Sequence, residues 1–261
     1  MTDKIIGRLT GGIAEIVFNN PAKLNATSLE MWQRVGELCK EYAANPDVRV
    51  LVLSGAGGKA FVSGADISKF ENERASIEAN ANYNKVGATA YEGIYNFPKP
   101  TIAKIHGYCI GGGMNVAACC DLRIASAGSK FGVPAGKLGL GYGYTPIKRL
   151  SEIVGISRAM QFLYTAQQIA AEEAYQIGLI NKIVPDGELD AAVAELANTI
   201  AHNAPLTIAL VKASAREITK PEGAPDHAKL LKMQDACTSS ADFKEGRTAF
   251  MEKRKPKFQG K

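Results

Sequence analysis

Two glycine-rich segments decide the reading of this chain: Phe61-Val62-Ser63-Gly64-Ala65-Asp66-Ile67 and His106-Gly107-Tyr108-Cys109-Ile110-Gly111-Gly112-Gly113-Met114-Asn115. Each follows an apolar, strand-like run, Val48 to Ser54 before the first and Thr101 to Ile105 before the second. Glycine lets backbone approach a ligand closely. At a helix start such as Gly112-Gly113, the N–H groups have no intrahelical acceptor and the helix dipole presents its positive end. Two N–H groups converging on one carbonyl oxygen stabilise the charge that develops there, and losing one donor costs about 3 kcal/mol. If the two loops meet in space, the pair predicts an oxyanion-binding cleft.

The flanking sequence predicts an α/β protein. Ile5 to Leu9 and Ile13 to Phe18 flank the turn dipeptide Gly11-Gly12 and read as a hairpin. Thr27-Ser28-Leu29-Glu30 has capping-box spacing, and Leu29, Trp32, Val35, Leu38 and Tyr42 then recur at helical spacing. The nearly continuous apolar run Val48 to Ser54 suits a strand buried on both faces. A helix-prone stretch follows from Arg74 to Tyr95, then a short buried helix from Gly112 to Cys120 and a strand from Leu122 to Ala125. After Thr145 helices dominate, over Thr145–Val154, Ser157–Thr165, Ala170–Ile177 and Glu188–His202, with one strand at Lys182–Val184. From Pro205 to about Lys253 the pattern is helical, broken near Lys220 to Pro225. Residues 1–200 therefore read as a core and residues 201–261 as a helical C-terminal appendage.

Composition sets the outer limits. The chain has 261 residues, 46% hydrophobic and 22% charged, as in an ordinary globular protein able to bury a large core. The net charge of +5 is modest, and the basic run Lys253-Arg254-Lys255-Pro256-Lys257 lacks the interleaved aromatics of single-strand binding, so no nucleic-acid partner is expected. Five cysteines without a CxxC spacing predict reduced thiols in a cytoplasmic protein rather than a disulfide framework or a zinc site. The N-terminus, Met1 to Gly7, carries no apolar signal region, and no run approaches the length of a membrane span. His106, His202 and His227 form no spaced cluster, so no metal is expected; His106 is expected to satisfy backbone groups in its turn. The triple glycine lacks the dinucleotide pattern GxGxxG, and Gly132 to Lys137 is one residue short of a P-loop and is followed by Leu138.

Taken in order, Pro21-Ala22-Lys23-Leu24-Asn25-Ala26, the first glycine segment, Lys99-Pro100-Thr101-Ile102-Ala103, the second glycine segment, Phe131-Gly132-Val133-Pro134, Gly178-Leu179-Ile180 and Phe250-Met251-Glu252-Lys253-Arg254 resemble the enoyl-CoA hydratase/isomerase family, the crotonases. The resemblance covers nearly the whole chain. It implies a β-β-α superhelical core with C-terminal helices that mediate trimerisation, often as two trimers in a hexamer. It implies acyl-CoA thioesters as ligands, with coenzyme A as part of the substrate and no other cofactor, and a place in fatty-acid metabolism. By position, Ala65 and Gly112 supply the oxyanion-hole N–H groups. Lys23, Leu24, Ser63, Asp66 and Ile67 match positions that line the CoA groove. Phe250 and Lys253 match positions that reach its adenine end, usually from a neighbouring subunit.

The sequence departs from the family's hydratase pattern in one respect. Hydratases hold and activate water with two glutamates; here Asn115 and Ala135 occupy those positions. Asn115 can hold a water but cannot take its proton, and Ala135 can do neither. Such acid–base groups are worth about a hundred- to ten-thousand-fold each. Among nearby groups, Asp66 is a position where the family carries an acid without using it as a base, Asp121 reads as structural, and Lys137 reads as a surface residue. Tyr142, in Gly139-Leu140-Gly141-Tyr142-Gly143-Tyr144, aligns with a functional tyrosine of bacterial methylmalonyl-CoA decarboxylases, which are also crotonases but carry histidine where this chain has Ala65. It reads equally as a catalytic group or as a pocket wall. The expected activity is thioester polarisation giving an enolate, with Tyr142 or a water on Asn115 moving the proton. Decarboxylation of a malonyl-type CoA, or acyl-CoA binding without turnover, are the alternatives. The variable stretch Lys69 to Gly93 shapes the acyl pocket, and its side chains have no placement from sequence.

Overall fold

A computed structural model describes residues 2–220 and 223–261. The strands are β1 (Ile5–Thr10), β2 (Ile13–Phe18), β3 (Val50–Gly55), β4 (Ala60–Val62), β5 (Thr101–Ile105), β6 (Tyr108–Ile110), β7 (Leu122–Ser126), β8 (Lys130–Gly132), β9 (Gln168–Ala170) and β10 (Lys182–Val184). The helices are α1 (Leu29–Ala44), α2 (Phe70–Glu73), α3 (Ile77–Tyr95), α4 (Gly112–Cys119), α5 (Tyr144–Val154), α6 (Ile156–Thr165), α7 (Ala171–Gln176), α8 (Leu189–Ala201), α9 (Pro205–Ile218), α10 (His227–Ser239) and α11 (Ala241–Met251). The break expected near Lys220 to Pro225 includes Pro221 and Glu222, which lie outside the described residues, as does Met1.

Six strands form one sheet in the order β1-β2-β3-β5-β7-β10. The β1–β2 hairpin is antiparallel and the other pairs are parallel. Both faces of the centre are covered, which explains the unbroken apolar run of β3. Leu51 and Leu53 face a core shared with Trp32, Val35 and Leu38 of α1. Val50 and Val52 face the opposite way, onto Leu189, Val193 and Ala197 of α8. Side chains of this size contribute roughly 1.5–3 kcal/mol each when fully buried.

A second sheet, β4-β6-β8-β9, is not separable from the loops in the sequence because its strands are three residues long. The segments Phe61-Val62 and Tyr108-Cys109-Ile110 thus lie in adjacent parallel strands, β4 and β6. That pairing brings the two glycine turns together. α4 then packs so tightly on β4 that a Cβ on Gly113 would fall 2.1 Å from the Val62 carbonyl oxygen. At the other end of α4, the buried Arg123 guanidinium donates to the Cys120 carbonyl at 2.7 Å, a cation at the negative end of the helix.

The capping box does not form. α1 begins at Leu29 with Ser28 as N-cap, and Ser28 makes no side-chain cap. Thr27 instead donates its hydroxyl to the Gly64 carbonyl at 3.1 Å, and the Leu29 N–H is taken by Glu73 of α2 at 3.1 Å. Glu30 pairs with Lys4 and Lys69. The local signal lost to tertiary demand: Thr27 holds the first glycine loop. Asp121 is structural as expected, receiving the Thr101 N–H at 2.8 Å and pairing with Lys212 and Arg216 of α9. α9 and α10 bury no side chain completely, and Phe250 on α11 is 83% exposed. Among the described residues, no helix is long and apolar enough to cross a membrane.

Candidate active site

The two glycine loops touch. A Cβ on either Gly111 or Gly112 would lie 3.8 Å from the Gly64 Cα. Gly111 makes the turn at φ 55°, a left-handed conformation that favours glycine, and its own N–H is spent on the Gly132 carbonyl at 2.8 Å. The first loop is tied to the chain before α1. Thr27 N–H donates to the Gly64 carbonyl and Asp66 N–H to the Thr27 carbonyl, both at 2.8 Å. Ala65 sits between these two bonds. Among the described residues, neither the Ala65 N–H nor the Gly112 N–H finds a protein acceptor. Both residues line one cavity of about 270 Å³.

The rest of that cavity is mostly apolar. Ile110, Val133, Pro134, Leu138 and Leu140 form one side. Trp32, Tyr83, Gly87 and Tyr91 form another. The Trp32 and Tyr91 rings lie 4.7 Å apart, and Trp32 Nε1 donates to the Tyr83 hydroxyl at 3.1 Å. The Tyr91 hydroxyl is 3.1 Å from where a Gly112 Cβ would stand. Asn115, Ala135 and Tyr142 also line the cavity, so the two positions that lack glutamate share it. No Asp or Glu is among its described lining residues, and Arg74 is the one cation there.

Burial pushes the Tyr91 phenol well above its usual pKa, the neighbouring Tyr142, Tyr83 and Cys119 add to the rise, and the Asn115 side chain opposes it. Burial likewise raises Tyr142, whose ring packs against the core, with Cys119 and Cys109 adding and Arg149 opposing. Both phenols are therefore protonated donors near neutral pH. Asp66 is placed differently. Burial works to raise its pKa, but the Lys23 ammonium at 2.8 Å and the Ser68 hydroxyl at 2.6 Å outweigh it and hold the carboxyl below its usual range. Asp66 is an ionised partner of Lys23, outside the cavity lining.

The expected CoA-groove residues fall into one neighbourhood. Ser63 N–H donates to the Leu24 carbonyl at 3.2 Å, Lys23 reaches Asp66, and Ile67 is exposed beside them. Phe250 is not brought there within one chain. It lines a separate cavity with Leu206, Phe243, Met251 and Phe258, and Lys253 lies just beyond α11. Lys137 is an exposed residue outside the cleft, as expected. His106 departs from expectation: its buried Nε2 has no hydrogen-bond partner, and burial together with Lys104 lowers its pKa. It lines a third cleft with Arg8, Glu15, Lys104, Asp186 and Asp190, to which neither Ala65 nor Gly112 contributes.

Sequence reasoning missed the aromatic wall. Its signal was the i, i+4, i+8 spacing of Tyr83, Gly87 and Tyr91, which puts all three on one face of α3. The small residue between two tyrosines leaves the hollow.

A mostly parallel sheet, two abutting glycine turns and a cavity with no carboxylate among its described lining residues define the class: an α/β protein. The chain belongs to the enoyl-CoA hydratase/isomerase family: the description "Enoyl-CoA hydratase/isomerase" matches residues 8–261. It is 36% identical over 256 residues to the short-chain-enoyl-CoA hydratase of Clostridium acetobutylicum, covering 97% of this chain and 96% of that one. It is 37% identical over 251 residues to the crotonyl-CoA hydratase of Syntrophomonas wolfei, covering 95% of each. In structure it is similar to an enoyl-CoA hydratase/carnithine racemase from Magnetospirillum magneticum, with a TM-score of 0.95, 34% identity, and 100% and 97% of the two chains covered. The protein is thus an acyl-CoA-processing enzyme of this family with the crotonase fold.

Proposed function

We propose that the Ala65 and Gly112 N–H groups form an oxyanion hole that polarises the thioester carbonyl of an acyl-CoA and stabilises its enolate. The observation that carries this reading is the pair of unspent N–H groups on two abutting loops of one cavity. The reaction is completed without a carboxylate base. A protonated Tyr91 or Tyr142, or a water held by Asn115, delivers the proton to the enolate carbon. Lys23, Leu24, Ser63, Asp66 and Ile67 bind the CoA, with Lys23 and Asp66 fixing each other at the groove. Phe250 and Lys253 serve the adenine end of a neighbouring subunit's CoA, for which their exposed place at the end of α11 is suited.

A second reading is favoured by the same carboxylate-free lining. Loss of CO₂ from a malonyl-type CoA yields the enolate with no base at all, so decarboxylation fits the cavity better than hydration does. The names of the relatives favour hydration of a short enoyl-CoA. Residues 1–200 act as the core and residues 201–261 as an oligomerisation region in a homotrimer or homohexamer. The incompletely buried apolar faces of α9 and α10 support that assembly, and the five unpaired cysteines support a cytoplasmic setting.

The test compares Gly112→Pro with Gly112→Ala. Both add a Cβ beside the Tyr91 hydroxyl, but only proline removes the N–H, at a first helical position that tolerates it. Turnover of crotonyl-CoA or methylmalonyl-CoA, whichever the enzyme accepts, should fall about a hundred- to a thousand-fold further in the proline variant. Equal loss in both variants would remove the Gly112 N–H from the mechanism.

A further inference from the structure

Arg74 has no role in the chemistry described above, yet it lines the acyl cavity. Its guanidinium lies over the Tyr83 ring, 4.0 Å from the centroid, and 4.7 Å from that of Phe70. The stack fixes the plane of the cation. Its Nε is buried with no hydrogen-bond partner, and among the described residues no carboxylate lies within ion-pair distance of it. The adjacent Glu73 is spent on the Leu29 N–H and on Lys69. Every other cation of the groove region is differently placed: Lys23 is paired with Asp66, and Lys69 with Glu30 and Glu73. Among the described residues, this oriented, half-buried guanidinium has no counter-ion and its cavity has no carboxylate, so it is suited to an anion from outside the chain.

The position of Arg74 sets where that anion sits. Trp32 Cζ2 is 3.7 Å from the Gly112 Cβ position, Trp32 is bonded to Tyr83, and Arg74 lies on Tyr83. The guanidinium is thus separated from the Gly112 N–H by two aromatic side chains along one wall. An acyl chain whose thioester oxygen rests at Gly112 and which runs along that wall ends at Arg74. Asn84, next to Tyr83 on α3, lines the same cavity and adds an amide donor.

We infer that Arg74 binds a carboxylate at the far end of the acyl group, so that the enzyme takes the mono-CoA thioester of a short dicarboxylic acid. The inference rests on the acyl-CoA reading of the site and narrows its substrate class. Guanidinium and carboxylate match as paired donors and acceptors, and such charge-assisted bonds are strong in a cavity of low polarity. The distal carboxylate is distinct from one lost in decarboxylation, which would sit on the α carbon beside the oxyanion site. A CoA phosphate is the other anion in the system. It would remain at the solvent-facing groove, where the half-exposed Lys23 is.

The test is calorimetric binding of saturated thioesters, which cannot turn over by hydration. Wild-type enzyme should bind glutaryl-CoA about ten- to a hundred-fold more tightly than pentanoyl-CoA, its neutral match in length. Arg74→Met, which keeps the apolar stem, should abolish that preference and leave pentanoyl-CoA affinity within about threefold, and Arg74→Lys should restore it only in part. A wild type that binds the two thioesters equally overturns the inference without touching the acyl-CoA reading, and needs no variant to fold. Equal weakening of both thioesters and of free CoA in Arg74→Met assigns Arg74 to a phosphate and also overturns it. Failure of wild type to bind either thioester removes the acyl-CoA reading itself, and this inference with it.

Discussion

The floor and the wall of the cavity are built on different principles. The floor is backbone: Gly64 to Asp66 and Gly111 to Asn115, held by β4–β6 pairing and by main-chain bonds from Thr27. The wall is side chain: Trp32 meets Tyr83 and Tyr91, Arg74 lies over Phe70 and Tyr83, and Tyr142 lines the same cavity. A backbone donor survives almost any change of neighbouring side chains, so on the proposed reading the floor supports one chemical act, carbonyl polarisation, whatever the acyl group. On the same reading the wall decides which acyl group arrives and what happens to the enolate. Two questions thus separate under the proposal: the reaction's first step is assigned to the floor and its specificity to the wall.

The largest effect that would sharpen this division comes from grafting a carboxylate pair onto the junction of floor and wall. Asn115→Glu with Ala135→Glu puts two acids in the cavity. Crotonyl-CoA hydration should rise by about ten- to a thousand-fold, the scale of positioned acid–base groups. Two like charges so placed raise each other's pKa, so the gain should appear above neutral pH and be accompanied by a lower melting temperature. A wild type that already hydrates crotonyl-CoA at the rate of an ordinary metabolic enzyme would break the account of the missing glutamates.

A smaller effect separates the two phenols. Tyr91 has its hydroxyl beside Gly112, so Tyr91→Phe should lower kcat by about ten- to a hundred-fold with little change in binding of a saturated acyl-CoA. Tyr142→Phe should be milder in kcat. The reverse order would make Tyr142 the proton donor. Smaller again is the effect of pH. Both phenols have raised pKa values and no carboxylate is among the described lining residues, so kcat should stay flat between about pH 6 and 9. A limb with the pKa of a carboxylate would reveal a base that the cavity lining does not contain. The folded-state pKa of Asp66 is depressed, so its pair with Lys23 contributes stability above the usual carboxylate pKa and loses it as pH falls below that value. The exposure of Lys23 keeps this contribution under about 1 kcal/mol.

The same division governs what can be read from the sequence. Glycine turns after apolar strands have a local signature, so the two loops that carry Ala65 and Gly112 are legible from residue order alone, as is the two-sided burial of β3; the choice of Ala65 and Gly112 within those loops comes from the family resemblance. The hairpin, the buried strands and most helices after Thr145 follow from period and caps. The three-residue strands of the second sheet have no period to detect, although they are what joins the two loops. Thr27 misleads because its hydroxyl serves the Gly64 carbonyl instead of its own helix. Trp32 is legible as a buried helix residue but not as a cavity wall. Arg74 lies in the loop after α2 and Tyr83 in α3, and no spacing rule connects them. Thr27→Val measures the tertiary use of that hydroxyl: it should cost about 1 kcal/mol in chemical denaturation and raise the KM for acyl-CoA, since it loosens the floor. Unchanged stability and KM would return Thr27 to an incidental role.

The claim on which the rest depends is that two backbone N–H groups polarise the thioester carbonyl. Infrared difference spectroscopy of an isotope-labelled thioester carbonyl in bound butyryl-CoA reads that polarisation directly. The C=O stretch should move to lower frequency on the wild-type enzyme, keep that shift in Gly112→Ala and largely lose it in Gly112→Pro. A carbonyl stretch at its solution frequency on the wild-type enzyme would contradict the claim.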